Sequence, residues 1–140
     1  MQEIARTDAY KLHVDSDKNR IYFTVIRIDL SRYPAFREDW ELAARQVKPG
    51  FTVLIDISRL SLISSEWIET SVNVHRKLVK AGLAGSAEIL SLKAAKALGL
   101  DRITRIPRQV CYAREEVFTN TRMAEAWLDG LTSDLNQGKE

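Results

Sequence analysis

A single cysteine, Cys111 between Val110 and Tyr112, leaves this chain no intramolecular disulfide to form, and no Cys or His cluster has the spacing of a metal site. Metal and redox chemistry are therefore not expected, and neither is a cofactor. Long apolar runs are missing too: none approaches the ~20 residues that span a bilayer. The opening stretch Met1 to Asp8 is polar and mixed in charge rather than leader-like, so a cytoplasmic, bacterial-type setting is the expectation. Linkers, low-complexity runs and internal repeats are absent as well. With 140 residues, 45% of them apolar, the chain has enough material for one good core and too little for two, so 1–140 is read as one domain. Its ordered core is expected over about 9–131, because the residues from about Thr132 on are polar and expected to fray.

The net charge of +2 hides an uneven distribution. Between Arg76 and Arg114, nine Lys or Arg face only Glu88 and Asp101. From Glu115 onward the balance reverses, with six acids against Arg122 and Lys139. The basic excess is thus a regional feature of the middle of the chain.

Two short runs of alternating β-branched and aromatic residues, Tyr10 to Val14 and Arg20 to Ile26, flank the polar turn Asp15-Ser16-Asp17-Lys18-Asn19 and read as a hairpin. Pro34 suits the first turn of a helix in which Phe36, Trp40, Ala43 or Ala44, and Val47 recur at helical spacing until Lys48-Pro49-Gly50 stops it. Phe51 to Ile57 is apolar almost throughout, which predicts a central strand covered on both faces. A helix opening at Ser64-Ser65 and ending near Gly82 has Ile68, Val72, His75 and Val79 along one stripe, with Arg76, Lys77 and Lys80 toward the other side. Ala87 to Leu90 reads as a short strand, Leu92 to Leu98 as a helix, and Val110 to Ala113 as the last strand. Asn120 or Thr119 can cap a final helix whose stripe is Met123, Trp127 and Leu131. The alternation predicts an α/β fold: a single layer of mixed, mostly parallel sheet of about five strands with an N-terminal hairpin, covered by about four helices.

In order and spacing, four pieces of the chain carry a resemblance: Asp15 to Tyr22 in the hairpin, Lys48-Pro49-Gly50-Phe51, Ile55-Asp56-Ile57-Ser58, and Val117-Phe118 leading to Ala124-Glu125-Ala126-Trp127-Leu128. Together, over roughly Tyr10 to Leu131, they resemble the SpoIIAA-like members of the STAS family, the anti-sigma-factor antagonist fold related to SEC14-type lipid-binding lobes. In such antagonists a loop ends in Asp-Ser-Ser-Gly-Leu, and its first Ser is phosphorylated by a partner kinase. The matching residues here are Ser64-Ser65-Glu66-Trp67-Ile68. The resemblance therefore implies Ser65 as the phosphorylation position, with Ser64 replacing the acid and Trp67 the glycine. An indole at Trp67 fills space that a glycine leaves open and offers a contact of its own. A phosphate on Ser65 would meet the free N–H groups of a helix start, with Glu66 opposing part of its charge. The plainer reading is that Ser64 or Ser65 is an ordinary N-cap worth ~1 kcal/mol.

Other residues carry the same two-sided reading. His75 on the apolar stripe is expected to be a buried, hydrogen-bonded structural histidine, and His13 has no neighbouring nucleophile or acid in sequence. Asp56, at the carboxyl end of a central strand, either faces a pocket or accepts hydrogen bonds from the following loop, and Ser58 shares that ambiguity. Arg76, Lys77, Lys80, Lys93, Lys96, Arg102, Arg105 and Arg108 can meet an acidic protein, anionic lipid headgroups or nucleic acid. Nucleic acid is the least favoured, since no aromatic is interleaved and no recognised motif is present.

The favoured function is a non-enzymatic regulatory domain that binds a protein partner of kinase or sigma-regulator type through Ser58, Ser64, Ser65 and Trp67. The alternative is a binder of a small apolar or anionic, lipid-like ligand, with Asp56, Arg76 and Lys80 as candidate ligand or anion contacts. A second copy of the chain is a further candidate partner through leftover apolar surface.

Overall fold

A computed structural model describes residues 1–27, 29, 33–60, 65–98 and 114–137. Six strands form one sheet in chain order, β1-β2-β3-β4-β5-β6. The strands are β1 (Gln2–Arg6), β2 (Tyr10–Asp15), β3 (Arg20–Val25), β4 (Thr52–Asp56), β5 (Gly85–Ile89) and β6 (Arg114–Phe118). The helices are α1 (Tyr33–Arg45), α2 (Ser65–Lys80), α3 (Leu92–Leu98) and α4 (Thr121–Gln137). β2 runs antiparallel to both β1 and β3, and β3 through β6 are parallel. The expected α/β fold with its N-terminal hairpin is the fold observed, with six strands where about five were expected.

The extra strand is β1, inside the stretch read from sequence as outside the ordered core. Its burial does not alternate, because it is an edge strand with a register shift between Glu3 and Ala5. A strand at Arg114–Phe118 was not among the expected ones, and the expected strand Val110 to Ala113 lies outside the described residues. Arg114 and Glu116 are exposed and Glu115 is half-buried, so this second sheet edge has a charged pattern that hydrophobicity does not mark.

Local chemistry sets the turns. In the hairpin, Asp15 Oδ1 accepts from the N–H groups of Asp17 and Lys18, and Asn19 takes a left-handed backbone (φ 54°) that Asn tolerates. The Asn19 side chain then exchanges two hydrogen bonds with the backbone of Lys48, at 2.8 and 3.0 Å, which ties the hairpin to the entry of β4. Helix α2 stops in a Schellman turn, with Leu83 N–H on Leu78 O and Gly82 N–H on Val79 O, and Gly82 supplies the positive φ of 104°. Asn120 caps α4 by accepting from Met123 N–H at 3.1 Å.

Strand pleating sorts side chains onto two faces. Leu12, Val14, Ile21, Phe23, Val53 and Ile55 form one core with α1 and α2. There Phe23 meets Trp40 with ring centroids 5.1 Å apart at 70°, and Phe36 and Tyr10 complete the aromatic group. Burying such rings contributes roughly 1.5–3 kcal/mol each, and Trp40→Ala would cost about 3–5 kcal/mol. Leu54, Ala87 and Ile89 face the other way, onto Ala124, Leu128 and Leu131 of α4. The central strand β4 is therefore covered on both faces, as its apolar run requires.

The buried stripe of α4 differs from the expected one. Met123 is 63% exposed and Trp127 half-buried, whereas Ala124 and Leu128 are fully buried. Both sets satisfy helical spacing, and the Asn120 cap places the small Ala124 against the sheet. Helix α4 continues past Thr132 to Gln137.

Candidate functional site

At the carboxyl end of β4, Asp56 Oδ1 accepts two hydrogen bonds from Ser58, from the backbone N–H at 2.9 Å and from the hydroxyl at 2.6 Å. Of the two readings of Asp56, the loop-acceptor geometry is the one present, and Asp56 and Ser58 are both half-buried. Ser65 is the first and Trp67 the third residue of α2. Their side chains, and Ser64 altogether, lie outside the described residues. Arg76 and Lys80 are exposed at the far end of α2. There Gly82 O accepts from Gly50 N–H at 2.8 Å, at the amino end of β4, so a helix length of roughly 20 Å separates Lys80 from Asp56. The candidate anion contacts Asp56, Arg76 and Lys80 thus do not converge. Arg102, Arg105 and Arg108 of the basic set fall outside the described residues.

His75 is 4% exposed, with Nε2 lying 3.2 Å from Ser86 Oγ and 3.0 Å from Glu115 Oε1. His75 is buried and hydrogen-bonded as expected, with Ser86 of β5 and Glu115 of β6 beside it. Ser, His and acid resemble a relay only in composition, because both partners meet the same ring nitrogen. A relay needs the base nitrogen for the hydroxyl and the other nitrogen for the acid. Glu88, two residues beyond Ser86 on the same face of β5, is buried. Its burial pushes the carboxyl up to about 7, with His75 opposing and Glu115 adding to the rise. Asp56 stands on the α4 side of β4 by alternation with Val53 and Ile55, so the sheet itself separates it from His75. His13 lies on β2 opposite Glu3, 3.4 Å from its carboxylate.

A second polar cluster holds α4 to the sheet. Arg20 is 1% exposed; its Nε donates to Thr52 Oγ1 at 2.8 Å, and its Nη1 reaches Glu125 at 2.9 Å and Asp129 at 3.0 Å. Lys18 adds a 3.0 Å bond to Glu125, and the Tyr22 hydroxyl also bonds to that carboxylate. Burial is the largest single influence on Glu125 and raises it, but the bonds from Tyr22 and Lys18 and the charge of Arg20 together hold its carboxyl below the usual range. Tyr22 is pushed up to about 12, first by burial and next by donating to Glu125.

Between α1 and α2 opens a cleft of about 270 Å³. Phe36, Trp40 and Ala44 from α1 and Val74 and Leu78 from α2 give it an apolar floor, and Arg37, Glu41, Arg45, Asn73 and Lys77 give it a polar rim. The indole Nε1–H of Trp40 is buried, and among the described residues no acceptor meets it. A donor left in that state costs about 1–3 kcal/mol.

Sequence reading missed the cleft, Arg20 and the role of Glu88. An acid inside the apolar run Ala87 to Leu90 was the available signal for Glu88. The cleft had none, since its two walls, Phe36 to Arg45 and Asn73 to Leu78, lie far apart in the chain.

Comparison with known proteins leaves the reading to the geometry: no family model matches the chain, and no curated protein matches it. Among the described residues no helix is long and apolar enough to cross a membrane, and no group of three or more acids, His or Cys is arranged to hold a metal ion.

Proposed function

We propose that this chain is a non-enzymatic regulatory domain of the SpoIIAA-like kind that docks a protein partner at the corner between β4 and α2, in a bacterial-type cytoplasm. The observation that carries this reading is the fixed exit of β4: one Asp56 oxygen holds both the N–H and the hydroxyl of Ser58, and α2 then begins at Ser65. Such a corner presents a rigid strand end and the free N–H groups of a helix start to a partner of kinase or sigma-regulator type. The use of a single His75 nitrogen by both Ser86 and Glu115 favours a structural over a catalytic role for that cluster. The test is a pull-down of candidate kinases and sigma regulators with the intact chain and with Ser65→Asp combined with Trp67→Ala. Partner recovery lost in the double variant supports docking at this corner, and unchanged recovery refutes it.

A second reading, a binder of a small apolar or anionic ligand, is favoured by a different observation. That observation is the apolar-floored cleft between α1 and α2. Native mass spectrometry of the purified chain, with and without added lipid, tests it.

A further inference from the structure

We propose that His75, Glu88 and Glu115 form a proton-operated latch that holds α2 against β5 and β6, closed while Glu88 keeps its proton and loosened when that proton leaves. The latch goes beyond the docking reading and rests on it for one consequence alone: α2 begins at Ser65, so the corner between β4 and α2 would loosen with it.

Strand register brings the three groups together. Ser86 and Glu88 of β5 lie between Val53 and Ile55 of β4 and Glu115 and Val117 of β6, so these side chains share the sheet face on which α2 packs. From α2, His75 reaches Ser86 at 3.2 Å and Glu115 at 3.0 Å. His75 and Glu115 are, among the described residues, the titratable groups that bear on Glu88. Otherwise β4 brings Val53 and Ile55, β6 brings Val117, and α2 turns Arg76, Lys77 and Lys80 out to solvent.

Two carboxyls in one apolar setting do not both ionise without cost. Glu88 is 7% exposed, and burial first of all pushes its carboxyl up to about 7, with His75 opposing and Glu115 adding to the rise. Above that point a charge is left under the helix, and lifting α2 relieves it by admitting water. This is the easier side to open. Strand β6 is a sheet edge, whereas the rings of Tyr10, Phe23, Phe36 and Trp40 interlock over β2 and β3, beyond β4.

Amide hydrogen exchange of the full chain in low urea tests this, at pH 6 and pH 8 and corrected for the intrinsic rate at each pH. Amides of α2 are expected to exchange faster than those of β3 and β4, through an opening that urea hardly speeds. That opening should increase about tenfold between the two conditions, because closed Glu88 holds its proton up to about 7 and open Glu88 releases it near 4.5. Glu88→Gln should remove the increase, and Glu115→Gln, by taking away a charge that raises Glu88, should shrink it and move it to lower pH. If α2 exchanges no faster than β3 and β4, with the same urea dependence, the proton acts on global unfolding alone and the latch is overturned. A local opening indifferent to pH overturns it too, as does a Glu88→Gln variant that keeps the increase. Should Glu88→Gln not fold, a Glu115→Gln profile identical to the parent's has the same force. The readout needs no partner, so a failed pull-down overturns docking at the corner and leaves the latch standing.

Discussion

His75 of α2 and Glu115 of β6 meet at 3.0 Å, Nε2 to Oε1, with the buried Glu88 on the strand beside them. Two acids and one imidazole therefore share a site in which Glu115 keeps some contact with water and Glu88 has none to spare, so the cost of burial falls on Glu88. Because burial lifts its carboxyl from 4.5 to about 7, the folded chain holds a proton there that the unfolded chain gives up. The associated stability is complete below pH ~4.5 and is lost as pH rises to and through about 7. Denaturant unfolding between pH 5 and pH 8 should show that loss, on the order of 2–3 kcal/mol, and Glu88→Gln should flatten it. A variant retaining the full pH slope would assign the effect to another group.

Arg20 is the cation that α4 needs. Replacing it with Met leaves Asp129 facing Lys18, Glu125 with Lys18 and the Tyr22 hydroxyl, and Thr52 without this donor. Glu125 keeps some contact with water, so the expected loss is ~2–3 kcal/mol, below the 3–5 kcal/mol of a fully buried broken pair. The depressed Glu125 carboxyl gives stability above its unfolded pKa that is lost as pH falls through the folded one. Removing Arg20 should therefore move the acid-side loss to higher pH, as followed by thermal melts from pH 7 downward.

Gly82→Ala should be severe for so small a change. The backbone there has φ 104°, and an added Cβ would stand 2.9 Å from both Cα and Cβ of Pro49. Strain and clash together are expected to cost about 2–4 kcal/mol, seen as a lower denaturation midpoint. Gly50→Ala has the strain without the clash, so it should cost less.

Asn120→Ala removes the oxygen that receives Met123 N–H and should cost ~1 kcal/mol, while Asn120→Asp should be close to neutral. Calorimetric melting of the two variants side by side checks the difference.

These positions also mark how far the sequence could be read. The hairpin and α1 were legible because their burial follows period 2 or 3.6 within one local window, β4 because its run is apolar throughout, and the Gly82 stop because a left-handed cap favours glycine. β1 was not legible, since an edge strand with exposed charges has no pattern to repeat. Arg20 was hidden for another reason: its partner Glu125 lies 105 residues away, and only the fold turns an expensive buried cation into a paired one. At the β4–α2 corner the sequence named Asp56 and Ser58 with two roles each, and the structure joins the two residues by hydrogen bonds. The α1/α2 cleft could not be foreseen, because the missing acceptor for an indole is a property of packing and not of composition.

Strand order carries a consequence for how the molecule is made. Ribosomes deliver a polypeptide from its amino end, and every parallel strand is synthesised before the residues that seal the side lined by Leu54, Ala87 and Ile89. Until Ala124, Leu128 and Leu131 dock, that side of the nascent sheet stays wet and adhesive, so a chaperone's protection matters most in the interval before α4 packs.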